Sequence, residues 1–186
     1  MTVPPIPAYD AALRLARALE SAEVPYAIGG AIALGAWSDP RATHDVDINL
    51  FVDHDGLERA LDALAAVGLS LDRGAARRAD QAGDVIVASL DGLRVDLFTP
   101  SIPFAWEAMR TRRRLQGPAG AADYLSAEAT AVFKLLFFRS KDIVDVERML
   151  LVQQLDLDQS YVRRWLVDMM GEDDERVKAW DAMVAR

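Results

Sequence analysis

The sequence predicts an α+β fold, with a mixed or antiparallel sheet flanked by helices and followed by a small C-terminal helical bundle. Strand and helix periodicities alternate up to about residue 125, an Asp-Gly pair separates two strand-like runs, and helical patterns alone follow. The 186 residues contain no internal repeat. We therefore expect a core domain over 1–125 and a helical region over 126–186 that packs on it.

The first elements are predicted from helical spacing and from the positions of glycine and proline. Apolar residues recur at helical spacing in the opening segment, which predicts a helix that ends near residue 22. A short buried strand is expected over 24–28, where Gly29 and Gly30 end it. A second helix is expected over 31–37, and the Ser38-Asp39-Pro40 segment breaks it.

Residues 45–52 alternate in polarity, which predicts a strand with one face on the core. The apolar face consists of Val46, Ile48, Leu50 and Val52, and the opposite face of Asp45, Asp47, Asn49 and Phe51. A helix is expected to follow, with Asp55 as its N-cap and Gly68 as its C-terminal stop. We expect a short strand over 69–71 and a polar loop over 73–83.

Two strand-like runs, over 85–90 and 93–98, flank Asp91-Gly92, which predicts a β-hairpin with a type I′ turn. In its second strand, Leu93, Val95 and Leu97 are expected on one face and Arg94, Asp96 and Phe98 on the other. The remaining expected elements are a short helix, a basic segment over 110–116, a turn at Gly117-Pro118, a long helical run over 127–150 capped by Ser126, and two helices over 159–169 and 173–184.

Composition and charge exclude several classes of protein. The absence of cysteine excludes disulfides, thiolate nucleophiles and thiolate zinc sites, and His44 and His54 lack zinc-site spacing. No apolar run is long enough to span a membrane and the N-terminal segment has no signal-peptide pattern, so we expect a cytoplasmic protein without a membrane partner. With a net charge of −8, any nucleic acid would have to meet a local basic patch. The candidate patches are Arg73, Arg77 and Arg78, and the run Arg110, Arg112, Arg113 and Arg114; alternatively, both are solvated charged faces.

Three aspartates are the candidate catalytic and metal-binding residues. Asp45 and Asp47 lie two positions apart on one strand, so their carboxylates project from the same face, about 6 to 7 Å apart. They would repel each other unless a cation lay between them, and hard oxygen ligands suit Mg²⁺. Asp96 occupies an equivalent position on another strand, and three such carboxylates can hold two metal ions for displacement at phosphorus. An Asp-x-Asp pair can also be plain surface charge, but aspartate is disfavoured inside an apolar strand.

The residues around the first aspartate strand are candidates for phosphate binding. Gly29 and Gly30 lie at a strand-to-helix junction, where a backbone without side chains can approach a phosphate closely. Arg41 and Thr43 precede the Asp-x-Asp strand, and the forked guanidinium of Arg41 suits triphosphate oxygens. The alternative is that Arg41 pairs with a neighbouring aspartate as local structure, and both interpretations are open.

Two segments resemble a known family. The first segment, YAIGGAIALGAWSDPRATHDVDINLFV, resembles the nucleotidyltransferase superfamily pattern of Gly-Gly or Gly-Ser, a helix, and Asp-x-Asp. Its Arg-x-Thr-x-Asp-x-Asp form is similar to the branch that contains the abortive-infection (AbiEii-type) toxins and related small nucleotidyltransferases. A second segment, FKLLFFRSKDIVDV, resembles the downstream helix of that branch. The resemblance covers about residues 24 to 150.

The resemblance implies a polymerase-beta-like fold and a role for each matched residue. Asp45 and Asp47 would ligate both metals, and Asp96 would ligate the catalytic metal and could accept a proton from the incoming hydroxyl. Gly29 and Gly30 would bind the triphosphate, and Lys134 would reach a phosphate. The downstream Asp142 and Asp145 would orient Lys141 and Arg139. Lys134 could instead direct its amine to the surface of an apolar helix.

The implied activity is Mg²⁺-dependent transfer of a nucleoside monophosphate from a nucleoside triphosphate to an acceptor hydroxyl, with release of pyrophosphate. The first expected acceptor, favoured by the Arg-x-Thr-x-Asp-x-Asp form, is RNA, such as a tRNA end, bound through Arg110 to Arg114; the enzyme would then be toxin-like, with an antitoxin protein as partner. The other is a small hydroxylated molecule of the aminoglycoside or lincosamide type. A non-catalytic nucleotide-binding relative is a further alternative. A purely structural role would not explain why carboxylates occur in these strands.

Overall fold

The computed structural model describes residues 7–117 and 119–185, which form two compact units. One unit contains the described residues of Met1–Ile32 together with Arg41–Leu125, and the other contains Ala33–Pro40 with the described residues of Ser126–Arg186. The expected division into domains over 1–125 and 126–186 stays a prediction. Most of the opening segment interpreted above as lacking a signal peptide, and Pro118 of the expected turn, lie outside the described residues.

The first unit is built on a mixed sheet. Its strands are β1 Tyr26–Ile28, β2 Asp45–Leu50, β3 Ile86–Leu90, β4 Leu93–Phe98, β5 Arg113–Gly117 and β6 Gly120–Tyr124. Within the described residues the strand order is β3-β4-β2-β1-β6-β5. The β2–β4 and β1–β6 pairs are parallel, and the β1–β2, β3–β4 and β5–β6 pairs are antiparallel. The predicted α+β class with a mixed sheet is therefore confirmed.

Helices complete both units. The helices that lie wholly or partly in the first unit are α1 Pro7–Ser21, α2 Gly30–Trp37, α3 His54–Ala66, α4 Arg73–Ala82 and α5 Pro103–Thr111. The second unit has α6 Ala127–Phe137, α7 Ser140–Gln153, a turn of 3₁₀ helix Gln154–Asp156, α8 Gln159–Met170 and α9 Glu175–Val184, and it takes in the later part of α2. No helix within residues 7–117 and 119–185 is both long and apolar enough to cross a membrane.

Alternating apolar residues fix which face of the sheet is covered. In β2 and β4 the side chains of Val46, Ile48, Val95 and Leu97 are fully buried. Helices α1 and α3 pack together, and α1 also contacts β1, β2 and β6. Because successive side chains of a strand alternate between faces, the residues between these apolar positions must point to the opposite face of the sheet.

The predicted hairpin is confirmed, including its turn. Strands β3 and β4 pair antiparallel from Ile86↔Leu97 to Leu90↔Leu93. Asp91 and Gly92 both have positive φ, at 51° and 82°, as a type I′ turn requires.

The expected loop over 73–83 is wrong, because these residues form helix α4. The Asp72 carboxylate accepts a hydrogen bond from the Ala75 N–H at 3.0 Å, and Gly83 ends the helix in the left-handed conformation. The expected cap of α3 is also corrected: Asp53, not Asp55, accepts from the Gly56 N–H at 2.8 Å. The expected strand over 69–71 is reduced to an isolated bridge between Ser70 and Ser89.

Two further expectations are corrected in the later part of the chain. The long helical run over 127–150 is divided into α6 and α7, because Phe138 adopts a left-handed backbone conformation with φ 54°. The Asp142 carboxylate then caps the new helix by accepting from the Arg139 N–H at 3.2 Å. The basic segment over 110–116 is partly helix α5 and partly edge strand β5, which pairs with β6.

Candidate active site

Adjacent parallel strands bring the candidate aspartates to one face of the sheet. The register pairs Asp47 of β2 with Asp96 of β4, and Asp45 with Arg94. Directly paired residues of neighbouring strands project from the same face, so Asp45, Asp47 and Asp96 share the face opposite the buried apolar residues. The Asp96 side chain is 14% exposed, and the strands therefore hold it in a largely enclosed position.

The Gly29-Gly30 pair provides the space that the β2 side chains occupy. Gly30 has φ +56°, and a Cβ atom added there would lie 1.7 Å from Oδ2 of Asp47. A Cβ at Gly29 would lie 2.6 Å from Nδ2 of Asn49, and the Gly29 N–H donates to the Asp47 carbonyl at 2.8 Å. The start of α2 is thus in direct steric contact with the Asp47 carboxylate. Triphosphate binding by the two glycines stays a prediction.

The segment before β2 orients the Asp45 carboxylate. The Thr43 hydroxyl donates a hydrogen bond to Oδ1 of Asp45. Such partners behind a metal-ligating group fix its direction and support its affinity for a cation. Arg41 lies two residues earlier and is half-buried. Direct contacts of Arg41 and Thr43 with a triphosphate stay predictions.

Arg94 is the site residue to which sequence reasoning assigned no role. Its Nε donates to Oδ1 of Asp96 at 2.8 Å, while its side chain is 57% exposed. The hydrogen bond and charge of Asp96 raise the pKa of the guanidinium, and the negative charges of Asp45 and Asp47 raise it further. The alternation of β4 placed Arg94 on the aspartate face, and this was the signal that could have identified it.

The three aspartates have the donor chemistry that a divalent cation needs and share one sheet face, but their carboxylates do not converge as in a bound site. Carboxylate oxygens on one sheet face are the ligands that Mg²⁺ prefers. Within the described ranges, no group of three or more His, Cys, Asp or Glu side chains converges as a metal site. The Arg94 guanidinium instead contacts Asp96. Metal ligation by Asp45, Asp47 and Asp96 therefore stays a prediction that requires Asp96 to exchange partners.

Lys134 belongs to a buried ion-pair cluster in the second unit. Its amine lies 2.7 Å from Oδ2 of Asp145 and 3.4 Å from Oδ1 of Asp142, and all three residues are buried. Asp142 also accepts from Nε of Arg139 at 2.6 Å, as expected for Arg139. The expected orientation of Lys141 by these aspartates stays a prediction. The proposed contact of Lys134 with a phosphate stays a prediction.

The candidate basic patches are paired with acidic side chains. In the run, Arg110 pairs with Glu107, Arg112 with Asp123, and Arg114 with Glu20 and Asp123. In the other patch, Arg73 pairs with Glu58 and Asp62, and Arg77 with Glu58. Much of the positive charge that a polyanion would need is therefore already compensated locally.

Comparison with solved structures identifies the fold. ANT(2″)-Ia in complex with adenylyl-2″-tobramycin has a TM-score of 0.58 and 12% identity, over 94% of this chain and 98% of that one. A candidate nucleotidyltransferase from Thermotoga maritima has a TM-score of 0.52 and 16% identity, over 87% and 94%. Another from H. pylori has a TM-score of 0.52 and 12% identity, over 99% and 84%.

No protein-family model matches the chain, and no curated protein matches it by sequence. The structural likenesses, at these low identities, establish the nucleotidyltransferase fold alone. The relation to the abortive-infection branch stays a prediction.

Proposed function

We propose that this chain, which has the nucleotidyltransferase fold, transfers a nucleoside monophosphate from a nucleoside triphosphate to an acceptor hydroxyl and releases pyrophosphate. The observation that carries the proposal is the pairing of Asp47 with Asp96 on adjacent parallel strands, with Asp45 on the same face. Aspartates are disfavoured in strands, and these three alternate with the buried apolar residues Val46, Ile48, Val95 and Leu97. A cation-dependent reaction gives the carboxylates a use.

The three aspartates would divide the work of the site. Together they would hold Mg²⁺, which would neutralise the negative charge that develops on the phosphates. Asp96 would accept the proton of the acceptor hydroxyl as its oxygen attacks the α-phosphorus and the bond to pyrophosphate breaks. Thr43 would keep the Asp45 carboxylate in its direction through the hydrogen bond described above.

The start of α2 would bind the triphosphate. Helix N-termini present unpaired backbone N–H groups and a partial positive charge, which favour anions. Gly30 begins this helix beside the Asp47 carboxylate, so a phosphate there would lie close to the aspartate face. Arg41 would supply compensating charge from the segment before β2.

As acceptor we favour a small hydroxylated cation over RNA. The similar ANT(2″)-Ia structure contains an adenylylated aminoglycoside, and a chain with net charge −8 attracts cations. The arginines from Arg110 to Arg114 that would bind an RNA backbone include three that are paired with carboxylates. An RNA acceptor, with a toxin-like role and an antitoxin partner, is the alternative outcome of the test below.

The test is a pyrophosphate-release assay with Mg²⁺ and each of the four ribonucleoside triphosphates, offered aminoglycosides or total cellular RNA as acceptor. We expect release with the aminoglycosides, and a loss of at least about 100-fold in Asp47→Asn, because one misplaced or missing group at the reacting centre costs that much. Asp62→Asn is the matched control, since Asp62 is 71% exposed and pairs with Arg73 away from the site. Unchanged release by Asp47→Asn would contradict the proposal, and nucleotide binding without release would identify a non-catalytic relative.

A further inference from the structure

Arg94 places a positive charge on the sheet face that carries the three aspartates. It is paired in register with Asp45 and lies two residues before Asp96 on β4, so all four side chains leave the sheet on the same side. Its Nε donates to Oδ1 of Asp96 at 2.8 Å. The guanidinium therefore forms a hydrogen-bonded ion pair with a carboxylate that is a metal ligand in the proposed reaction.

The carboxylates make a cation at this position favourable. Like charges on neighbouring strand positions repel one another, and a positive group among them offsets that repulsion. Arg94 is paired in register with Asp45 and hydrogen-bonded to Asp96, and Asp47 is the register partner of Asp96. Arg94 therefore lies among all three aspartates and not beside its hydrogen-bond partner alone.

We infer that Arg94 is an internal counter-cation of the aspartate site, which occupies Asp96 in the metal-free protein and must be displaced when a divalent cation binds. This inference rests on the proposed function, because it takes the three aspartates to be the metal ligands. A guanidinium cannot lose its proton at ordinary pH, so it leaves Asp96 by moving its side chain. The exposed half of that side chain gives it room to do so.

The consequence is a site whose affinity for free divalent cations is held down by its own arginine. Any cation must compete with the Arg94–Asp96 ion pair before Asp96 can join Asp45 and Asp47 as a ligand. A neighbouring opposite charge shifts the proton affinity of a carboxylate by about one to three logarithmic units, and we expect the lower end for cation affinity because Arg94 is 57% exposed.

The test is a calorimetric titration of MnCl₂ into metal-free protein without nucleotide, for the wild type, Arg94→Gln and Arg77→Gln. Arg77 is a close match for Arg94: its side chain is 58% exposed and its Nε binds a Glu58 carboxylate oxygen at 2.6 Å. We expect Arg94→Gln to bind Mn²⁺ about tenfold more tightly than the wild type. Arg77→Gln should bind Mn²⁺ as the wild type does, because it lowers the positive charge equally but away from the aspartates.

Thermal unfolding gives a second readout that does not depend on activity. In EDTA, Arg94→Gln should have a lower Tm than Arg77→Gln, because its three aspartates lose their counter-charge. Added Mn²⁺ should raise the Tm of Arg94→Gln more than that of either other protein. Arg94→Lys keeps the charge without the forked donors, so its Mn²⁺ affinity should lie between those of the wild type and Arg94→Gln.

The outcomes separate this inference from the proposed function. Mn²⁺ binding that Asp47→Asn abolishes, but that is equal or weaker in Arg94→Gln, would overturn the counter-cation role while the proposed function stands. No Mn²⁺ binding by the wild type or any arginine variant would overturn the counter-cation role, and the pyrophosphate assay with Asp47→Asn decides the proposed function separately.

Discussion

At the scale of single residues, the candidate site depends on a close contact between a glycine and a carboxylate. Gly30 has the positive φ that favours glycine, and its missing side chain leaves the space that Oδ2 of Asp47 occupies. The same glycine starts α2, so one residue determines both where the helix begins and where the carboxylate lies. A substitution here should therefore disturb chemistry as well as backbone conformation.

Gly30→Ala tests this contact against Gly92→Ala, whose φ of +82° carries a similar strain but whose added Cβ would meet nothing within 4 Å. Gly92→Ala should lose about 1 kcal/mol in the free energy of unfolding, measured in urea, and Gly30→Ala should lose more, because its added Cβ would also collide with the Asp47 side chain. Gly30→Ala should also lower kcat/KM for pyrophosphate release by about 100-fold, because it displaces the Asp47 carboxylate. Equal activities of the two variants would show that the contact is unimportant for the reaction.

The candidate residues on β2 and β4 could be predicted because their signal is local. Period-two alternation places Asp45, Asp47 and Asp96 opposite the apolar residues, and the structure has that alternation. The ion pair of Arg94 with Asp96 could not be predicted, because alternation gives the face of a side chain but not its rotamer or its partner. For the same reason, the contact of Gly30 with Asp47 was not expected from the sequence.

At the scale of secondary structure, the elements that sequence analysis missed are marked by their capping residues more than by apolar periodicity. Helix α4 buries little besides Ala76 and Asp80, so its apolar pattern is weak, while Asp72 and Gly83 define its ends. The break between α6 and α7 falls in a continuous apolar pattern, and a left-handed Phe138 is not visible in residue type. Apolar periodicity predicted the helices that bury a wide apolar face. It missed helix ends that are set by capping residues or by backbone conformation.

A histidine–aspartate pair joins α3 to α4 and predicts a pH-dependent stability. The Nδ1 of His54 contacts Oδ2 of the buried Asp80, and this hydrogen bond, followed by the Asp80 charge, raises the pKa of His54 above 6.5. Because the pKa of His54 is higher in the folded than in the unfolded state, the stabilisation from this pair is complete at pH values below the unfolded pKa of 6.5. That contribution is lost as the pH rises through the folded pKa.

Urea unfolding of the wild type, His54→Gln and His44→Gln at about pH 5.5 and about pH 8.5 measures this contribution. The wild type should exceed His54→Gln in free energy of unfolding at the lower pH, and the difference should shrink at the higher pH. His44, an exposed residue before β2, provides the matched substitution and should show no such trend. A difference that grows with pH would contradict the assignment.

The buried cluster around Lys134 makes the second prediction at this scale. Lys134→Met removes the partner of two buried carboxylates, those of Asp142 and Asp145, and should lower the free energy of unfolding by about 3 kcal/mol. Lys141→Met makes the same change at an exposed position and should cost less than about 0.5 kcal/mol. Both values come from urea denaturation. If Lys134 mainly served a phosphate, its loss would reduce kcat/KM and leave stability near that of Lys141→Met.

At the scale of the whole molecule, the site depends on a strand order that local patterns do not contain. Strands β2 and β4 are neighbours although α3, α4 and β3 separate them in the chain. The mixed sheet class was predictable from the alternation of elements, but the register that pairs Asp47 with Asp96 was not. The expectation that these aspartates act together came from the chemistry of carboxylates on two strands and from the family resemblance. The register places them on one face, and their joint ligation of a metal stays a prediction.

The basic run over 110–116 was the basis for the RNA interpretation. Which carboxylates pair with its arginines depends on the fold of the whole molecule. Three of its arginines pair with the carboxylates of Glu107, Asp123 and Glu20, which come from α5, β6 and α1. Glu107 lies only three residues before Arg110, but Asp123 and Glu20 lie on other elements and cannot be identified as partners by inspecting the charge run. Net charge and patch composition therefore gave a weaker guide to the acceptor than the three-dimensional pairing does.

The most direct test of the central claim is a crystal structure with Mn²⁺ and a non-hydrolysable nucleoside triphosphate, with the metal located by anomalous scattering. We predict a manganese peak about 2.1 Å from carboxylate oxygens of Asp45, Asp47 and Asp96, with the Arg94 guanidinium moved away from Asp96. A triphosphate bound while Asp96 still holds Arg94 and no metal contacts the three aspartates would contradict the account.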